Sequence, residues 1–242
     1  MLSEKPWRAE AVLMLGGGVT ACLCTGVLLA GLLQHSGLAG FQTPESLGNL
    51  LLATLSFQGA AWVFIFFFLK QHEVGWVDAF GFRHTNLKKS LGLGLLVLAV
   101  LLPVALGLQH LSALALEKLG WPPADQRAVE LIANSKSFWL RGYLALFAVV
   151  IAPVAEEFVF RGMLFPFFLR LGFRKFAWLG VSLLFACIHF NAPTLAPLFV
   201  FALMQTWLYA KTDCLLAPIA VHSLFNTANL VILLTNPAAG KI

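Results

Sequence analysis

Two adjacent glutamates and an arginine stand in EEFVFR, 156–161, inside an apolar run from about Gly142 to Leu169. A charge at membrane depth costs roughly 2.5–3.5 kcal/mol on insertion scales. Three of them facing lipid would be expensive, so they are expected to point inward, paired or near water. Glu157 and Arg161 are four apart, share a helical face and can form an ion pair. Glu156 lies about 100° around the helix from Glu157. One carboxylate is then held in place, and the other is free to act as a base on water.

Two further apolar stretches carry imidazoles. FACIH, 185–189, ends in His189, and HSLFN, 222–226, begins with His222 and ends in Asn226. His222 and Asn226 share a helical face. An imidazole and an amide there can donate hydrogen bonds to a developing oxyanion. His189 can share a water with Glu156. Base, water and oxyanion donors together are what acyl hydrolysis requires.

The elements that must hold these groups are helices in a bilayer. The chain of 242 residues is 60% hydrophobic and only 11% charged, where a soluble domain carries about 25% charged residues. The expectation is an all-α polytopic transmembrane bundle, one membrane-embedded domain over 1–242, of about seven or eight spans of roughly 20 residues. The runs are Ala11–Leu33, Leu47–Leu69, Leu91–Leu111, 142–169, the short Phe176–His189, Leu195–Ala210 and Leu215–Leu234. Counted singly, His189 near the end of a short span and Glu156 inside a long one differ in height. A bend near Pro153 or Pro166, or a longer fifth span, would level them. Part of the 112–140 connector, ADQRAVELIANSKSFWL, reads as an interfacial helix.

The net charge of +5 is explained by basic loops rather than by nucleic acid, since no basic run with interleaved aromatics occurs. Lys5 and Arg8, then Lys70 to Lys89, then Arg170 to Lys175, then Lys211 fall on alternate loops, which predicts a cytoplasmic N-terminus. Lys118, Arg127, Lys136 and Arg141 on the opposite side run against the pattern. Lys5 and Arg8 before an apolar run, and VTAC at 19–22, resemble a leader, but the run continues to Leu33, long enough for an uncleaved span. Cys22, Cys24, Cys187 and Cys214 form no CxxC and read as buried free thiols. His72 and His84 read as solvated loop groups, Trp76 and Trp121 as interface anchors, and Gln205 as an interhelical hydrogen-bonding residue.

EEFVFR, FACIH and HSLFN, in that order, resemble the E-E-x-x-x-R, F-x-x-x-H and H-x-x-x-N motifs of the CAAX protease and bacteriocin-processing (CPBP, or Abi) family of intramembrane proteases. LYAKTDCLLAPIAVHSLFN, 208–226, and FGFRHTNLKK, 80–89, are also similar to family segments. The motif-bearing resemblance covers about 139–234. The sixth span departs from the family pattern in lacking glycines and in holding Met204 and Gln205. The resemblance implies an endopeptidase of the type II CAAX prenyl endopeptidase kind. Glu156 and His189 would activate a water, His222 and Asn226 would form the oxyanion site, and Glu157 and Arg161 would support them. Implied substrates are proteins or peptides at the bilayer, including membrane-anchored or prenylated ones. The implied location is the plasma (inner) membrane of a prokaryote.

Other readings stay open at this point. Glu156, His189 and His222 form a zinc-like ligand set with room for water. Against zinc, HExxH spacing is lacking and Asn is a poor zinc ligand, so cofactor-free chemistry is favoured. Buried Glu and His also suit a proton-coupled transporter, although no repeat symmetry is visible. A non-catalytic immunity or assembly factor would keep the fold and tolerate Glu156→Gln.

Overall fold

The computed structural model describes residues 2–43, 45–82, 86–121, 131–132, 135 and 137–235. Seven apolar helices follow in chain order: α1 Ala9–His35, α2 Leu47–Gln71, α3 Leu87–Lys118, α4 Phe138–Arg170, α5 Phe176–Cys187, α6 Ala192–Thr212 and α7 Leu216–Thr235. All but α5 are long and apolar enough to cross a membrane, and the described residues contain no strand. In hydrocarbon every backbone N–H and C=O must be satisfied within its own segment, which a helix does. The chain is an integral membrane protein. The expected interfacial helix at 124–140 falls largely outside the described residues, as does His84, while Phe138–Leu140 open α4 behind the N-cap Ser137.

The helices form two compact units, Pro6–Trp76, and Met1–Lys5 with Val77–Ile242. In the first, α1 packs along α2. Small residues permit the approach, as is usual between helices in lipid. A Cβ at Gly18 would strike the Phe64 ring, and one at Gly26 would strike Ser56. His72 is not the solvated loop group expected. Its Nδ1–H donates to the Phe68 carbonyl at 2.7 Å, and its Nε2 accepts the Arg8 backbone N–H at 3.0 Å. Its ring packs against Trp7 and Phe68. It ties the chain entering α1 to the end of α2.

In the second unit α3 lies along α6 and α7, α5 packs on α6, and α4 meets α5, α6 and α7. Two contacts bring loops of this unit together. The Leu215 N–H donates to the Phe80 carbonyl at 3.0 Å. Ser3 donates its N–H and Oγ–H to the Asp213 carboxylate, and Lys5 reaches the same carboxylate at 3.4 Å. The N-terminal residues, the start of α3 and the end of α6 therefore share one end of the unit. An even number of crossings must separate Phe80 from Leu215. With α3, α4 and α6 counted, α5 makes the fourth, which agrees with about seven spans among the described residues.

The α6 helix ends at Asp213, in the left-handed region with φ 48°. Gly81 abuts it with φ 72°, and a Cβ there would collide with the Asp213 carbonyl. Glycine is required at that position on both counts. Among the cysteines, all unpaired, only Cys214 is buried. Cys24 and Cys187 point outward from apolar helices, so the expectation of uniformly buried thiols is corrected. A small apolar thiol is as well accommodated by acyl chains as by a core.

Candidate active site

The α4 helix carries the acidic motif, and it is not regular. Phe147–Ile151 and Phe158–Leu164 are π-helical turns flanking Ala152–Glu157. Such turns often mark functional positions in helices. Pro153 explains part of the first. The Ala152 N–H reaches back five residues to Phe147, and Pro153 has no N–H to offer. The Ala148 carbonyl is left over, and Asn226 Nδ2 on α7 donates to it at 2.8 Å. Asn226 thus ties α7 to the irregular turn of α4 with one N–H and keeps the other.

Glu157 is fully buried. Its Oε1 collects three donors from three helices. Arg161 Nη1 lies 3.1 Å away on α4, Gln205 Nε2 3.4 Å away on α6, and His222 Nδ1 2.8 Å away on α7. The ion pair expected from the four-residue spacing forms. Arg161 is also buried; its Nη2 donates to the Ala202 carbonyl at 3.0 Å, and its guanidinium stacks 4.6 Å from the Phe185 ring centroid. Three buried polar atoms of this one cluster, Glu157 Oε2, Arg161 Nε and Gln205 Oε1, have no partner among the described residues.

Because Glu157 takes the Nδ1 side of His222, the Nε2 side faces Glu156, with 3.9 Å between Nε2 and Glu156 Oε2. That is too long for a direct hydrogen bond and suits one bridging water. Two bonds of about 2.8 Å spanning this gap would subtend about 90° at the water oxygen. The Glu156 side chain keeps 13% exposure, where Glu157 keeps none. The two neighbouring carboxylates are therefore sorted, one sealed and saturated with donors, the other open.

His189 follows the end of α5 in a turn, half-buried, and is not on the helix. Its Nδ1–H donates to the Phe185 carbonyl at 2.7 Å, since a carbonyl can only accept, so Nε2 is left as the free nitrogen. Counting from the turn between α4 and α5, rather than along each span singly, narrows the expected difference in height between His189 and Glu156. The α4 and α5 helices are joined by the turn at 171–175. Glu156 precedes Arg170 by 14 residues and His189 follows Phe176 by 13. At 1.5 Å per residue both stand about 20 Å from that turn. The α4 arm of that count includes the π-helical turn Phe158–Leu164.

Residues 138–228 match the family model described as type II CAAX prenyl endopeptidase Rce1-like. This segment is Rce1-like. It runs from the first residue of α4 to two residues beyond Asn226 and contains all three motifs, in under half of the chain. No curated protein and no solved structure matches the sequence.

Two aromatic supports, Phe185 within the matched segment and Phe80 upstream of it, were not singled out for chemistry from the sequence. Phe185 was read only as the first position of its motif. Its buried ring covers Arg161 and also packs against Phe160, Phe201, His189 and His222. Phe80, just upstream of α3, is buried with its ring 4.5 Å edge-on from Phe158. A Cβ at Gly162 would come within 2.8 Å of that ring. The FGF loop is thus a wedge against the turn that follows Glu157. Phe185 is itself a motif residue and Phe80 opens the FGFRHTNLKK segment, but an apolar chain with 22 phenylalanines hides which of them act as supports.

The zinc reading requires Glu156, His189 and His222 to converge on one ion. Among the described residues no three His, Cys, Asp or Glu side chains are placed to hold one. His222 Nδ1 and His189 Nδ1 are both committed elsewhere, so only the Nε2 atoms would be offered.

Proposed function

We propose that this protein is an intramembrane endopeptidase that hydrolyses peptide bonds of protein or peptide substrates at the bilayer, prenylated or otherwise membrane-anchored ones included. The observation that carries the reading is the sorting of the two glutamates. Glu157 is sealed against Arg161, Gln205 and His222, while Glu156 faces His222 Nε2 across the width of a water. Glu156 acts as general base on that water. His189, whose Nε2 is an acceptor in the tautomer fixed by Phe185, accepts the other proton contact and orients the oxygen for attack. The tetrahedral intermediate places negative charge on the former carbonyl oxygen. As the water attacks, His222, protonated on both nitrogens and braced by Glu157, passes its Nε2–H bond from the water oxygen to this oxyanion, and the second N–H of Asn226 assists. Glu156 then returns its proton to the leaving amine. With His222 charged, two carboxylates, one guanidinium and one imidazolium sum to zero, which suits a buried cluster. The chemistry needs no metal. The N-terminal end, with Lys5, the α6–α7 turn and the 171–175 loop, is proposed to face the cytoplasm of a prokaryotic cell.

The test is cleavage of a broad peptide library by purified protein in detergent, wild type against Glu156→Gln, each with and without a zinc chelator. The expected loss in the variant is about 10²–10⁴-fold, the usual contribution of a general base, with no chelator effect. Equal cleavage by both proteins would overturn the role of Glu156. Loss on chelation with recovery on adding zinc would replace the metal-free chemistry with a zinc site at Glu156, His189 and His222. Substrate-driven pH changes in vesicles, without cleavage, would favour the transporter.

A further inference from the structure

Gln205 stands at the one place in the cluster where the carboxylate that holds His222 and the backbone that carries His222 are gripped by the same group. Its Nε2 donates to the Pro218 carbonyl at 2.7 Å and to Glu157 Oε1 at 3.4 Å. Both neighbours can only accept, which fixes the amide with its nitrogen inward. Pro218 lies four residues before His222 on α7, one turn away on the same face. The distance from Glu157 Oε1 to that turn therefore sets where His222 Nδ1 arrives, and it arrives on the same oxygen at 2.8 Å. Gln205 is fully buried, and its Oε1 has no partner among the described residues. An apolar side chain of equal length would fill the space without burying an unbonded oxygen. What it could not do is donate twice.

We infer that Gln205 is a positioning residue, acting through Glu157 and Pro218 to hold His222 with Nδ1 protonated and Nε2 turned to Glu156. The inference rests on the protease reading for its consequence in catalysis, but not for its structural content. Thr206, the next residue, bonds only back to Ala202 on its own helix and so provides the control position.

The experiment uses full-length protein in detergent, with histidine labelled on its ring nitrogens. The His222 signals are assigned by their absence from His222→Gln. In the wild type the His222 ring shows Nδ1 protonated and hydrogen-bonded. In Gln205→Met, which keeps length and removes both donors, that signature is lost or becomes a mixture, while Thr206→Val leaves it intact. If the protein cleaves peptides, Gln205→Met lowers kcat roughly tenfold, the scale for outer partners of an active histidine, at unchanged KM. An unchanged His222 signature in Gln205→Met overturns the inference, even if stability falls. Absence of cleavage in the wild type would count against the protease reading alone, because the nitrogen signals are read without substrate. Should Gln205→Met not fold, the wild type decides. Side-chain amide protons of Gln205 exchanging as fast as those of an exposed glutamine would overturn the inference, and slow exchange would support it.

Discussion

Arg161→Met gives the sharpest test of how the site is held. Breaking a buried ion pair by removing one partner costs about 3–5 kcal/mol in a soluble protein, because the other charge is stranded. Here the reference state differs. Denaturing a helical membrane protein in a detergent such as SDS separates the helices but leaves them helical. Glu157 and Arg161 are four apart on one helix and 3.1 Å from each other, so their pairing survives separation. What unfolding removes is interhelical. Arg161 loses the Ala202 carbonyl at 3.0 Å and the Phe185 ring at 4.6 Å.

An interhelical hydrogen bond in such a reference is worth about 0.6 kcal/mol and at most about 1.7. A desolvated cation–π contact adds about 2 kcal/mol. The Ala202 carbonyl is not orphaned in the variant, since the Thr206 hydroxyl also reaches it at 2.9 Å. Arg161→Met should therefore destabilise the bundle by about 2–3 kcal/mol, a factor of about 30–150 in the unfolding equilibrium. The assay is SDS titration of purified protein, followed by circular dichroism and tryptophan fluorescence. A double-mutant cycle with Glu157→Gln should give a coupling below about 1 kcal/mol, although the pair is buried. A coupling above about 3 kcal/mol would refute the reasoning, because the pair would then form only when the helices pack.

Asn226→Ala should cost about 1 kcal/mol in the same titration, by freeing the Ala148 carbonyl, and should lower cleavage by about 10²–10³ if the amide is an oxyanion donor; stability loss without loss of activity would reduce Asn226 to helix bracing. His189→Gln should leave stability within about 0.5 kcal/mol, since its Nδ1 bonds only within its own turn, while cleavage collapses. Gly81→Ala should destabilise by 2 kcal/mol or more on thermal scanning, combining left-handed strain of about 1–2 kcal/mol with the clash against Asp213; a wild-type midpoint would show that the loop can move. Lys5→Ala, which removes a buried ammonium from Ser3 Oγ and from the partly exposed Asp213 carboxylate, should destabilise by about 1.5–3 kcal/mol and leave cleavage untouched.

What could be read from the sequence was whatever repeats along one helix. Hydropathy gave the spans because a bilayer is thicker than any soluble core layer, and the runs match their helices within about four residues except at the end of α3, which continues seven residues past Leu111 to Lys118. The Glu157–Arg161 pair was legible because a separation of four is a contact by geometry alone. The bond from Glu157 to His222, 65 residues away, has no such local code. Nor has the bond from Asn226 to Ala148, 78 residues away, which exists because Pro153 and the widened turn release a carbonyl.

Gln205 shows the limit most clearly. In isolation it was one more polar residue between helices, and hydrogen bonding was the correct expectation. Its importance depends on which two acceptors it meets, and those lie on different helices. The height of His189 is the opposite case. The sequence already contained the equal counts from the basic turn at 171–175 to Glu156 and to His189. Residues equally far along the two arms of a hairpin stand near one level, so the short fifth span brings His189 toward the depth of Glu156 even though the fourth carries π-helical turns at Phe147–Ile151 and Phe158–Leu164.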